Sequence, residues 1–261
     1  MNSFEQAIAA LDLDLFEKIE SQSTPPDKQS LLALQVGVRE LRPGYNYLEI
    51  GSYLGGSIQP HLLDDECARI FSLDKRPLQQ PDARGFDYRY LNNSTERMLE
   101  KLRGVAPEKM GKLTTIDGDS SQIRPEQITE KIDLCFIDGE HTDRAVMSDF
   151  KFCLKVLNEN GCIAFHDAQI TYNGIADCLE HLRKDGYTFR AYVLPHIVFV
   201  VEIGDFPLHK NPKIAERLLN NHEAYLFALQ NNDRYREFSN RLPFRIVRNF
   251  IARVRNGNVS Q

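Results

Sequence analysis

The chain has 261 residues, 42% of them hydrophobic and 26% charged, with a net charge of −5. That length suffices for one large domain with appendages, and the composition is not that of a disordered chain. The N-terminal stretch MNSFEQAIAALDLDLFEKIE has neither a basic lead nor an unbroken apolar run, and nothing downstream is apolar for long enough to cross a bilayer. The expectation is a cytoplasmic protein without signal peptide or membrane span. Cys67, Cys135, Cys153, Cys162 and Cys178 lie in or beside apolar segments, are odd in number and form no CxxC pair. They are read as reduced core thiols, not as a disulfide framework or a structural zinc site.

Two helices are expected at 4–20 and 28–41, separated by Pro25-Pro26, with Asp27 as an N-cap. Strand-like runs then recur at 45–50, 68–74, 111–117, 131–138, 161–167, 187–194 and 196–203. Between them, 57–64, 93–103, 121–130, 142–157 and 174–185 have helical spacing or length. Alternation of this kind implies a parallel sheet covered on both faces. Only Pro195 separates the last two strands, which is too short for a crossover, so they should pair antiparallel. The expected domains are an N-terminal helical cap (1–42), an α/β domain (43–204) and a helical extension (205–261), with one helical run from Pro212 to Gln230.

Charge is uneven along the chain. From Arg234 to Arg255 there are seven arginines against the single acid Glu237, a net +6, so the remainder of the chain carries −11. An acidic body is no nucleic-acid surface. Within the tail, PFRIVRNFIARVRNG places Val247, Phe250, Ile251 and Val254 on one helical face. This segment, 243–255, is read as a helix packing on the body or on a second subunit, with a membrane surface or an anionic substrate as alternatives. The chain is expected to form a homo-oligomer.

YLEIGSYLGGS, residues 47–57, joins the first strand to a helix through a glycine-rich turn. Such a turn either permits close packing or brings a ligand to the helix N-terminus at the carboxyl edge of the sheet. Gly51 and Gly56 have the outer spacing of a dinucleotide fingerprint, but Tyr53 holds the middle position, where a side chain would obstruct a diphosphate. A smaller ligand with an ammonium and a carboxylate is the third reading. Glu49 could hold the amine, the glycines admit backbone contact, and Ser57 adds a hydroxyl. Asp74 ends the second strand, 23 positions after Gly51, where a carboxylate can accept both hydroxyls of a ribose. Asp119 and Ser120 follow the third strand and either approach a base or cap the next helix.

The segment 132–168 is the most specific. Two buried strands end at Asp138 and at His166-Asp167, and adjacent strands lie about 4.8 Å apart, so these groups share one small space. Crowded carboxylates repel unless a cation joins them. His141 and His166 can each ligate a metal, act as general base, or serve a structural role. Asp149, inside the helix between these strands, is read as part of a solvated face. Tyr172 and Asn173, in the 168–174 loop, are read as substrate contacts or ordinary surface.

The E-I-G-x-x-x-G-x-S arrangement resembles motif I of the class I S-adenosylmethionine-dependent methyltransferases, and IDG-x-H…G-x-I-x-x-HDA resembles their metal-dependent O-methyltransferases, closest to the macrocin-like family. The resemblance spans roughly 45–203. It implies a Rossmann-like seven-stranded, doubly wound, mostly parallel α/β sheet closed by an antiparallel hairpin, with S-adenosylmethionine as cofactor. It implies that Glu49, Gly51, Ser52, Tyr53, Gly55, Ser57, Asp74, Asp119, Ser120 and Asp138 bind that cofactor. Asp138, His166 and Asp167 would hold a divalent metal such as magnesium or manganese, and His141, His166 and Asp138 would be catalytic. The acceptor would be a hydroxyl of a sugar or other small molecule. His166 departs from the family's usual carboxylate, and histidine is a poor magnesium ligand. The other readings are a nicotinamide-dependent oxidoreductase and a non-catalytic binding module.

Overall fold

In the computed structural model, which describes residues 3–257, Tyr45–Ile50 forms the strand β1 with the boundaries its apolar pattern suggests. Its side chains alternate: Tyr45, Tyr47 and Glu49 point to one face, Leu48 and Ile50 to the other. Parallel to it lie β2 (Cys67–Asp74) on one side and β6 (Ile132–Ile137) on the other. With β5 (Leu113–Asp117), β7 (Leu157–Phe165), β8 (Phe189–Leu194) and β9 (Val198–Ile203) they make a seven-stranded sheet of order β5-β2-β1-β6-β7-β9-β8. β9 runs antiparallel to both β7 and β8, the second of which the short link at Pro195 requires. This is the Rossmann-like methyltransferase sheet.

One sheet face is covered by α1 (Ser3–Ala10), α2 (Pro25–Leu41), α3 (Gln59–Leu63) and α4 (Thr95–Arg103), whose apolar residues join Tyr45, Tyr47, Phe136, Ala164 and Val200 in one core. The N-terminal helices therefore share the sheet's core. α5 (Asp143–Val156) and α6 (Tyr172–Lys184) pack together and carry buried apolar residues on their inner faces. The chain divides into two compact units, one up to His222 and one from Glu223. The first also holds the short α7 (Pro212–Ala215). α8 (His222–Asn240) and α9 (Phe244–Gly257) follow.

Several elements differ from expectation. The 4–20 helix stops at Ala10, because Leu11 turns into the left-handed region (φ 54°), and resumes as a single 3-10 turn at Leu13–Phe16. α2 starts at Pro25 after Thr24 as N-cap; proline lacks only an N–H that the first turn leaves unpaired, so the pair opens the helix. Asp27 is then the third helical residue, accepting from the backbone N–H of Thr24 at 3.0 Å. The 121–130 segment forms no α-helix, only a 3-10 turn at Pro125–Gln127. Nor is 212–230 one helix; α7 and α8 are separate. An unforeseen antiparallel hairpin, β3 (Gln79–Pro81) with β4 (Asp87–Arg89), lies between β2 and α4. In α9 the side chains of Val247, Phe250 and Ile251 are exposed; that of Val254 lies outside the described residues.

Candidate active site

Because β2, β1, β6 and β7 are parallel, their carboxyl ends share one edge, with the order reversing beside β1. Ligands bind at such a switch point. A cavity of about 380 Å³ opens there, lined by Gly51, Ser52, Tyr53 and Ser57 after β1, by Asp74, and by Asp138, His141, His166 and Asp167. Its other walls are the 20–24 loop with Asp27, and Gln80, Tyr88 and Tyr90 from the hairpin region. Of the 168–174 segment only Gln169 takes part; Tyr172 is buried in the first turn of α6, and neither it nor Asn173 lines the cavity.

The turn after β1 can only be built with a glycine first. Gly51 has φ +90°, and a Cβ there would come within 2.2 Å of the carbonyl oxygen of Asp138. Gly55 is also left-handed, with φ +83°. Tyr53 adopts φ 44° despite its side chain, and it lines the cavity. Glu49 is fully buried beneath the turn, accepting from the hydroxyls of Tyr47 and Ser57, both at 2.6 Å. Burial raises its pKa to about 7. Ser52 accepts from Ser72 at 2.8 Å.

Asp74 is held by the backbone N–H of Tyr53 (2.8 Å), that of Arg76 (2.7 Å) and the Arg76 guanidinium (3.3 Å). Asp119 borders no described cavity. Burial disfavours its charge, but the Lys75 ammonium at 2.8 Å and the Ser121 hydroxyl and N–H outweigh that and hold its pKa at about 2. Ser120 instead faces a second, small cavity of about 20 Å³ with Gly118, Gly139, Glu140 and Asp149. Asp149 overturns the solvated-face reading: it is buried, accepts from the Ser120 hydroxyl at 2.5 Å, and burial raises its pKa to about 7. Gly139 makes room for it, since a Cβ there would stand 3.1 Å from the Asp149 carboxylate.

At the ends of β6 and β7 the acids and imidazoles converge. His166 Nδ1 lies 3.1 Å from both Asp138 and Asp167 carboxylates, and His141 Nε2 lies 3.2 Å from Asp167 and 3.8 Å from Asp138. Asp167 is left-handed (φ 50°), a strained conformation that surrounding structure must hold. Burial would lower both histidine pKa values; the two carboxylates reverse this and raise them, His166 strongly. Burial would likewise raise Asp138, but the adjacent His166 charge brings it to about 2.

Sequence reasoning missed one member. Asp27 is wholly buried, accepts from the backbone N–H groups of His196 (2.9 Å) and Ile197 (3.0 Å), and faces His166 Nε2 across 3.7 Å. An acid three positions into a helix ordinarily serves capping, and no local signal couples it to a strand end 139 residues away. The ligand atoms of Asp138, His141 and Asp167 lie within 4.8 Å of one another, and His166, the imidazole expected as a ligand, sits 3.1 Å from the same two carboxylates.

Residues 48–168 match the family model described as a methyltransferase domain. That match covers rather less than half of the chain and agrees with the resemblance its motifs carry. A search of the curated proteins found no match. Among solved structures the fold is similar to that of CalS11, a calicheamicin methyltransferase, with TM-score 0.51 and 14% identity over 78% of this chain and 94% of that one. The apo structure of CalS11, a TDP-rhamnose 3'-O-methyltransferase, gives 0.52 and 16% over 77% and 87%. At these identities the likeness concerns the fold. No helix among the described residues is long and apolar enough to cross a membrane.

Proposed function

We propose that the enzyme methylates a hydroxyl oxygen of a sugar or similar small molecule. The observation that carries this reading is that the glycine turn after β1 and the Asp138–His141–His166–Asp167 cluster border the same cavity. CalS11, of the same fold, is described as acting on a sugar, TDP-rhamnose. In this reading Asp74 meets the ribose hydroxyls of S-adenosylmethionine and Ser120 with Asp149 its base, while Glu49, buried and lining neither cavity, would offer its charge to the ammonium from behind the Ser57 hydroxyl. The acceptor oxygen would attack the methyl carbon, the carbon–sulfur bond breaking with its electron pair passing to sulfur; the hydroxyl proton would leave to His141 where that imidazole holds no metal, or to solvent where a bound ion has already acidified the hydroxyl. The protein's part is to align oxygen, methyl and sulfur and to exclude water.

Asp138, Asp167 and His141 form an oxygen-and-nitrogen donor set that fits a divalent ion, manganese better than magnesium because of the imidazole. Such an ion, when bound, lowers the pKa of a coordinated hydroxyl. His166, clasped by Asp27 on one side and by Asp138 and Asp167 on the other, orients both carboxylates. The exposed apolar residues of α9 suit contact with a second copy of the chain, and its arginines suit an anionic surface; a size measurement on the full chain tests the first.

Label transfer from methyl-tritiated S-adenosylmethionine to a panel of hydroxylated small molecules, with and without chelator, tests the reading. Transfer to oxygen, lost in chelator and restored by manganese, is the expected result. Transfer to nitrogen or carbon alone would overturn it, and full activity in chelator would remove the metal.

A further inference from the structure

The composition of the cavity wall restricts the acceptor. Among the described residues lining it there is no lysine or arginine. The nearby cations are committed elsewhere: Lys75 to Asp119 and Glu140, Arg76 to Asp74 and Asp117, and Arg84 to Asp82. Against this the wall presents five carboxylates (Glu20, Asp27, Asp74, Asp138, Asp167) and three imidazoles. Arg76 offsets Asp74, and the cofactor and a bound divalent ion would offset part of the remaining charge; the restriction rests on the wall itself, where a phosphate would find no guanidinium or ammonium facing the cavity to receive it.

What the wall does offer is specific. Glu20 is exposed at the cavity and makes no hydrogen bond or ion pair with the described residues. Beside it in the chain, Ser21, Gln22 and Ser23 supply neutral donors and acceptors. Tyr53, Tyr88 and Tyr90 supply aromatic faces, Tyr53 and Tyr90 lying edge to face at 5.4 Å. A free carboxylate with aromatic faces is the pairing that receives a protonated amine, through an ion pair and through the ring quadrupole. Hydroxyl-rich rings, in turn, match the serine and glutamine side chains.

Resting on the methyl-transfer reading above, we propose that the acceptor is an amine-bearing polyol of the amino-sugar class, its ammonium received by Glu20, and not a phosphate-bearing sugar. The hydroxyl to be methylated then lies toward Asp138 and His141, at the inner end of the same cavity.

Calorimetry on the full chain saturated with S-adenosylhomocysteine tests this with three probes: kanamycin (amine-bearing), trehalose (neutral) and TDP-glucose (anionic). Kanamycin should bind at least tenfold more tightly than trehalose, and TDP-glucose more weakly than either. Glu20→Gln, an exposed site where the fold is not at risk, should remove most of the kanamycin preference and leave trehalose unchanged. TDP-glucose binding best, a preference that survives Glu20→Gln, or no binding of any probe to the loaded protein would overturn the proposal. Failure of S-adenosylhomocysteine itself to bind would instead strike the underlying reading of the site.

Discussion

The two halves of the candidate site are built from the same parts to different ends. At the ends of β1 and β2, Glu49 and Asp74 are clothed in groups that do not change charge near neutrality: hydroxyls, backbone N–H groups and one guanidinium. At the ends of β6 and β7, Asp138 and Asp167 are clothed in imidazoles. The first half can hold one ligand in one way. The second holds protons that can be moved or displaced by a cation. In the proposed reading, binding and chemistry are thereby separated across adjacent strands of one sheet.

The most severe break in that contrast is Asp138→Asn. It removes a charge shared by two imidazoles, and turnover should fall by about a hundredfold or more, the usual scale for a lost acid–base group, while S-adenosylhomocysteine still binds. Single-turnover methyl transfer beside calorimetry checks it; a parallel loss of both would erase the division of labour. In the other half, Asp74→Ala should weaken S-adenosylhomocysteine by about 1–3 kcal/mol. Unchanged affinity would remove Asp74 from the ribose site.

A finer test uses pH. In the ligand-free protein Glu49 titrates at about 7 because it is buried. An ammonium ligand needs its ionised form, so below that pH binding must first remove a proton. S-adenosylhomocysteine affinity should therefore drop by up to about tenfold per unit as pH falls below 7, and level off above it. The same raised pKa means that the protonated carboxyl favours the folded state: that contribution is full below the unfolded carboxylate range and is lost as pH rises through 7. Glu49→Gln should flatten the binding profile. A profile equally steep in the variant would assign the proton to another group, with Asp149 next in line.

How much of this was legible in the sequence depends on the distance over which each feature is decided. β1 and the hairpin link at Pro195 are local, and the apolar runs disclosed them. The hairpin β3–β4 has three-residue strands that are mostly exposed, and one contains Pro81, so no alternation marks it. The burial of Asp149 depends on the space left by Gly139, and the place of Asp27 depends on a strand end far along the chain. Motif spacing located the carboxylates of the site. That both imidazoles, His141 and His166, reach the same two carboxylates is decided by tertiary geometry.

Arg76, largely buried, donates to the carbonyl of Tyr53, to Asn93 and to Thr95, besides its contacts with Asp74 and Asp117. It thus rivets the glycine turn, the end of β2 and both bases of the 77–93 excursion into one piece. The tip of that excursion is moored to the strand-end cluster through a single main-chain bond, from Ala83 N–H to the His141 carbonyl at 2.8 Å. A library of substitutions around Tyr88 can therefore retune which acceptors enter, while the seat of the methyl donor stays as it was.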